Sequence, residues 1–176
     1  MKFYTGIGSR NIPDHVGRVM TSMACRLNEM GHCLVSGNAE GSDQAFARGV
    51  NDSNAQIWLP WKNFNQDFQD EHPLHHYELV KDDDWDAWES VEKFHPNPKS
   101  LSENGWKFMR RNYRQVIGFN GLNSEFVICW TPDGKDSGGP GFAMKVAKHY
   151  NIPIFNLYLM TDAEILKEII KLGVIF

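Results

Sequence analysis

Short apolar runs that stop at glycine-containing turns, each followed by apolar residues at helical spacing, set the rhythm of this 176-residue chain. That is the rhythm of βα units. Residues 3–7 read as a first strand, ended by Gly6-Ile7-Gly8-Ser9-Arg10, and Pro13-Asp14 opens a helix in which Val16, Met20, Met23 and Leu27 share a face up to Gly31. A very short second strand, residues 33–35, runs into Ser36-Gly37-Asn38-Ala39-Glu40-Gly41, after which Ser42 caps a helix burying Ala45, Phe46 and Val50. Residues 55–59 form a third strand, stopped by Pro60. Residues 125–130 form a fourth, apolar almost throughout as a strand covered on both faces should be. A helix over 138–149, a fifth strand over 152–157 and a helix over 162–172 complete the chain. The alternation predicts an α/β fold: a Rossmann-like, doubly wound, mostly parallel sheet of about five strands with helices on both faces.

The rhythm breaks between about residues 61 and 101, where Asn, Asp, His and Pro alternate without a stable period. This stretch reads as an irregular insertion in a single domain spanning residues 1–176, with a helix somewhere in 77–94 and Asp82-Asp83-Asp84 as a plain charge run. Trp58, Trp61, Trp85 and Trp88 read mainly as a satellite core fastening it to the sheet. A helix follows from Leu101 to a stop at Gly118.

Eighteen Lys and Arg stand against twenty-two Asp and Glu, a net charge of −4, which does not suit a surface that grips nucleic acid all over. Any polyanion site must be local. Cys25, Cys33 and Cys129 lack metal-ligand spacing and sit among apolar neighbours, so they read as reduced core thiols. No signal-peptide pattern and no run of about 18 apolar residues is visible, so the expectation is a cytoplasmic protein without a membrane span.

In a doubly wound sheet, ligands lie beyond the carboxyl ends of the strands. Three glycine-rich loops fall there: Gly6-Ile7-Gly8-Ser9-Arg10, the stretch Ser36 to Asp43, and Ser137-Gly138-Gly139-Pro140-Gly141. Glycine lets backbone N–H groups converge on an anion, and the helix start that follows adds partial positive charge. Arg10 can pair with a phosphate, and Asp43 can hold a hydroxyl or simply favour its helix start. Lys107, Arg110, Arg111 and Arg114 share a helical face and make the one dense basic patch, with Trp106, Phe108 and Tyr113 beside it as base-stacking rings or as the buried side of the helix.

His72, His75, His76 and His95 cluster near acidic residues but lack the spacing of a zinc helix, so no metal is expected. Neither a Walker loop, nor a nucleophile elbow, nor a complete Gly-x-Gly-x-x-Gly is present, and no resident cofactor is expected.

Gly8-Ser9-Arg10, Val35-Ser36-Gly37-x-Ala39-x-Gly41-x-Asp43, Arg111-Asn112, Cys129-Trp130-Thr131-Pro132-Asp133-Gly134 and Gly138-Gly139-x-Gly141 together resemble the SLOG superfamily, the Rossmann-like group of DprA and the LOG phosphoribohydrolases. The likeness runs from residue 3 to about 157 and is closest to small, mostly phage-borne DprA-like proteins. It implies a nucleotide or nucleotide-derived ligand across the loops. Gly8, Ser9, Arg10, Ser36, Gly37, Asn38, Ala39 and the Gly138, Gly139, Pro140, Gly141 turn would hold phosphate. Asp43 and Asn112 would contact sugar or base, Arg111 would also bind the ligand, and Trp130, Thr131, Pro132 and Asp133 would form a wall. LOG enzymes carry Pro-Gly-Gly-x-Gly-Thr-x-x-Glu. Here the threonine is Phe142 and the catalytic glutamate is Lys145. A lysine opposes an oxocarbenium-like transition state, so N-glycosidase chemistry would need Glu40, Asp43 or Asp133 instead. The expectation is therefore a nucleotide-binding protein. A nucleotide N-glycosidase or deoxyribosyltransferase and a DprA-like single-stranded DNA binder stand as alternatives, and the resemblance implies a homodimer.

Overall fold

In the computed structural model, residues 2–136 and 138–173 are described, and Ser137 of the third glycine loop lies outside them. The strands are β1 (Lys2–Gly8), β2 (His32–Ser36), β3 (Ala55–Leu59), β4 (His76–Leu79), β5 (Phe126–Trp130) and β6 (Ile154–Asn156). They form one sheet in the order β4-β3-β2-β1-β5-β6, with every neighbouring pair parallel. The helices are α1 (Asp14–Glu29), α2 (Ser42–Ala47), α3 (Gln66–Glu71), α4 (Trp85–Phe94), α5 (Glu103–Arg114), α6 (Gly138–His149) and α7 (Asp162–Lys171).

Side chains alternate along each strand, and the two faces are closed by different helices. Tyr4, Phe126 and Ile128 pack with Met20 and Leu27 of α1, Phe46 of α2, and Ile165 and Ile169 of α7. Ile7, Val127 and Cys129 pack on the other face with Val91 of α4, Tyr113 of α5, and Phe142 and Val146 of α6. The strand order reverses at β1, which pairs with β2 through Thr5 and Val35 and with β5 through Thr5 and Val127. The crevice beyond the ends of β1 and β5 is thus the topological switch point.

The sheet has six strands where five were expected. The sixth, β4, lies inside the stretch expected to be irregular, and the period-2 signal is absent because it is a four-residue edge strand with no fully buried side chain. Residues 61–101 therefore carry regular structure: α3, β4 and α4. The acidic run there is more than a solvated face. Buried Asp84 caps α4, accepting from Ala87 N at 3.1 Å, and takes both ends of the Arg114 guanidinium at 2.7 and 2.5 Å. The tryptophans divide as well. Trp58 is fully buried in β3 against Phe119, Trp88 packs on Trp106, and Trp85 is 75% exposed, which takes it out of the expected satellite core. Cys33 and Cys129 are buried free thiols, but Cys25 is exposed on α1 and so is not a core thiol. Among the described residues no helix is long and apolar enough to cross a membrane.

His32 at the start of β2 is buried against Phe126, and burial together with the Lys2 ammonium lowers its pKa. The unfolded chain therefore takes a proton near pH 6.5 that the folded chain refuses, so the contribution of His32 is present above that pH and lost as pH falls through the folded pKa. Denaturant titrations of the wild type and His32→Leu at pH 7 and pH 5 should show the wild type losing stability relative to the variant, by up to about 1.4 kcal/mol per pH unit. Parallel pH profiles would refute this assignment.

Candidate functional site

The loop after β1 is fixed by backbone contacts. Ser9 N donates to Trp130 O at 3.0 Å, while Ser42 N and Oγ donate to Ser9 O at 3.1 and 2.9 Å. Gly8 allows this approach, since a Cβ there would stand 2.4 Å from Ser42 Oγ and 2.6 Å from Trp130 O. Across the crevice, Asn112 Nδ2 of α5 donates to Gly139 O at 3.2 Å and holds the start of α6 against α5.

Between these elements lies a cavity of about 390 Å³, within the range of small-molecule sites. The first loop contributes Gly8, Ser9 and Arg10, α6 and its approach contribute Pro132, Gly138, Gly139 and Pro140, and the second loop contributes Ala39 and Asp43. From α5 come Phe108, Met109, Arg111 and Asn112, followed by Gln115 at its C-cap.

Asp43 and Arg111 form a buried pair at 3.1 Å, and Asp43 Oδ2 also accepts from Ala39 N at 3.2 Å. Burial pushes the Asp43 carboxyl upward, with Arg111 and the Ala39 N–H working against the rise. The same burial lowers the Arg111 pKa, opposed by Asp43. The Arg111 guanidinium lies 5.8 and 5.7 Å from the Phe64 and Phe108 ring centres, and Arg10 stands 5.2 Å over the Phe108 ring. Two buried nitrogens here, Arg111 Nε and Gln115 Nε2, have no hydrogen-bond acceptor. Orphaned buried donors are costly, so two in the wall of a cavity are informative.

Other residues expected at the site lie outside the cavity lining. Ser36 Oγ donates to Gly6 O at 2.7 Å, Gly37 packs beneath Arg111, and Asn38 adopts φ 61° and donates to Phe64 O at 2.8 Å. These residues shape the loop. Trp130 meets Ser9 through its carbonyl, Thr131 Oγ1 accepts from Asn156 Nδ2 at 2.9 Å, Asp133 is exposed and accepts from Lys135 N, and Gly141 packs against the Asp136 backbone.

The basic face of α5 is reassigned most. Arg110, Arg111 and Arg114 are 2–4% exposed. Arg110 donates to Lys81 O and lies near Asp82, Arg114 holds Asp84, and Lys107 pairs with Glu103 at 2.6 Å. Arg111 and Arg114 are spent on buried carboxylates, Arg110 is itself buried, and Lys107 is paired at the surface, so they form no open patch. The face of α5 that meets the cavity is instead 108, 111, 112 and 115, at i, i+3, i+4 and i+7. Phe108 was expected as a base-stacking ring or as part of the buried side of α5, without a place among the nucleotide contacts, and Gln115 was missing from the expected contact residues. Their helical spacing with Arg111 was the available signal.

Of the three spare carboxylates, Asp43 lines the cavity, whereas Glu40 and Asp133 are exposed away from it. Among the described residues no three His, Cys, Asp or Glu side chains gather to hold a metal ion. A wider, open groove of about 880 Å³ runs along α1 and α2, outside the switch point.

No family model matches this sequence, and no curated protein matches it. Solved structures do match. One is DNA processing protein A from Helicobacter pylori, studied for its single-stranded DNA binding mode, at a TM-score of 0.61 and 17% identity. The fold is shared with DNA processing protein A. The match takes in 88% of this chain and 64% of that one, so this chain spans under two thirds of that structure.

Proposed function

We propose that the switch-point cavity binds a nucleotide, with its phosphate at the start of α6 beside Gly138 and Gly139 and its sugar or base toward Asp43, Arg111 and Gln115. The observation that carries this reading is the pair of orphaned donors, Arg111 Nε and Gln115 Nε2, in the wall of a roughly 390 Å³ cavity. The helix start supplies N–H groups and positive potential for phosphate, and Asp43 supplies an acceptor for hydroxyl or amino groups. With its free thiols and its glycine loops, the chain fits a cytoplasmic nucleotide binder working as a homodimer, as its SLOG resemblance implies. At a hundredfold excess over Kd a ligand stabilises by about 2.7 kcal/mol, which for a domain of this size raises the melting midpoint by roughly 5–10 °C. A panel of nucleoside monophosphates should contain at least one that does so. Gly139→Trp should abolish the shift without unfolding the chain, because a Cβ at Gly139 meets only Asn112 Nδ2, at 3.5 Å. No shift from any nucleotide would overturn the reading, and chromatographic release of free base would convert it from binding to cleavage, with Asp43 as the carboxylate in reach.

The second reading, single-stranded DNA binding, is favoured by the fold match to DNA processing protein A. Phe108 and Arg10 at the cavity mouth would offer a strand a stacking ring and a cation. Fluorescence anisotropy with a labelled oligonucleotide should then show affinity falling with salt, though shallowly, since the α5 arginines are internally paired. Absence of binding at low salt would exclude it.

A further inference from the structure

We infer that the ligand of this cavity consists of two linked nucleotide units, the second seated in an adjoining cavity between the end of α4, α5 and α6. The inference rests on the nucleotide reading above and specifies its ligand class. The adjoining cavity measures about 330 Å³ and shares Met109 and Gly138 with the first. The two lobes therefore meet at one methionine side chain and at the helix start assigned to the phosphate.

The second lobe has what a nucleoside and its charge require. Phe94 and Phe142 meet edge to face at 6.4 Å and, with Pro96, give it apolar ring walls. Its cation is Lys145, which is exposed and, among the described residues, pairs with no carboxylate. Its one acid, Asp136, is already paired with Lys148. His95 adds a second polar side chain, positioned by the Asn97 N–H that donates to its Nδ1 at 3.2 Å. The surplus charge in this lobe is positive, and it stands where an acidic side chain would repel a phosphate.

The first lobe is of single-nucleotide size and holds both orphaned donors. A ligand confined to it leaves Lys145 and the Phe94 wall unused. A linked pair places the internucleotide phosphate at Gly138 and Gly139, on the boundary between lobes, with one nucleoside toward Arg111 and Gln115 and the other toward Phe94 and Lys145. Both ends then meet groups that suit them, and the shared phosphate meets the backbone N–H groups of α6.

The test is calorimetric titration of the protein with the four 5′-phosphorylated homodinucleotides, ribo and deoxy, with the matching monophosphates, and with homodecamers. At least one dinucleotide should bind tenfold or more tightly than its monophosphate. Lys145→Glu and His95→Ala, both at the second lobe, should remove that gain while changing monophosphate affinity less than twofold. Equal affinities for dinucleotide and monophosphate would overturn the two-unit inference and leave the nucleotide reading standing. A dinucleotide gain that survives both substitutions would also overturn it, since the second unit would then lie elsewhere. Binding by decamers alone would overturn it in favour of a strand, and failure of every monophosphate and dinucleotide would overturn both readings.

Discussion

Replacing Arg114 with alanine is expected to lower the unfolding free energy by about 3–5 kcal/mol and the melting midpoint by roughly 10 °C. The Arg114 guanidinium and the Asp84 carboxylate are both almost fully buried, and they meet in a two-pronged contact at 2.7 and 2.5 Å. Arg114 also donates to Ile117 O and Gly118 O in the turn that follows its own helix, and it lies 4.0 Å over the Phe119 ring. Burial disfavours its charge, yet the Asp84 hydrogen bonds more than offset this and raise its pKa. Removing the arginine strands a buried carboxylate that is also the cap of α4, so one substitution damages two helices. Denaturant titration measures the loss. Asp84→Asn should lose a similar amount, and the double variant Arg114→Met with Asp84→Leu should recover most of it, because an apolar pair leaves no unmatched charge. A loss below about 1 kcal/mol for Arg114→Ala would mean that the pair is solvated.

Gly37→Ala should be nearly as severe, though it adds a single methyl group. A Cβ at position 37 would lie 1.6 Å from Arg111 Nη1 and 2.6 Å from Gln115 Nε2. Backbone and guanidinium cannot both stay, and the guanidinium is the part that can leave. Its departure breaks the contact with Asp43 and leaves that buried carboxylate with the Ala39 N–H but no counter-charge in contact, at a cost of about 3 kcal/mol or more. The expected readout is a drop in melting midpoint together with loss of any nucleotide-induced shift. A stable Gly37→Ala protein that still responds to nucleotide would show that Arg111 is dispensable to the cavity.

The strands that were legible in the sequence are those buried on both faces. The run of β5 and the strand-to-helix turn after β1 declare themselves by apolarity and glycine, which are local properties. β4 was not legible, because a four-residue edge strand, HYEL, turns only the half-buried Tyr77 toward the core and is too short to show an alternation. The α5 arginines misled for a different reason. A run of Arg at helical spacing reads the same whether it faces water or faces Asp43, Asp82 and Asp84, and those partners lie about 30 to 70 residues away in sequence. Long-range pairing is invisible to periodicity. Gln115 was overlooked at the site because an amide has no charge to draw notice, whereas its burial without an acceptor is a property of the folded chain alone.

The placement of β1 bears on the order in which the molecule assembles. β1 pairs on one side with β2, about 30 residues later, and on the other with β5, more than 120 residues later. The half-sheet from β1 to β4 closes through near neighbours, while β5 and α6 must be captured across a long loop, the slower kind of event. During synthesis the first half is also made first. Because the wall formed by Pro132, Gly138 and Gly139 comes with that last capture, the cavity does not exist in any partly folded form lacking β5. Competence to bind and completion of the sheet are one step, and a ligand of the cavity acts on unfolding by holding the C-terminal third of the chain in place.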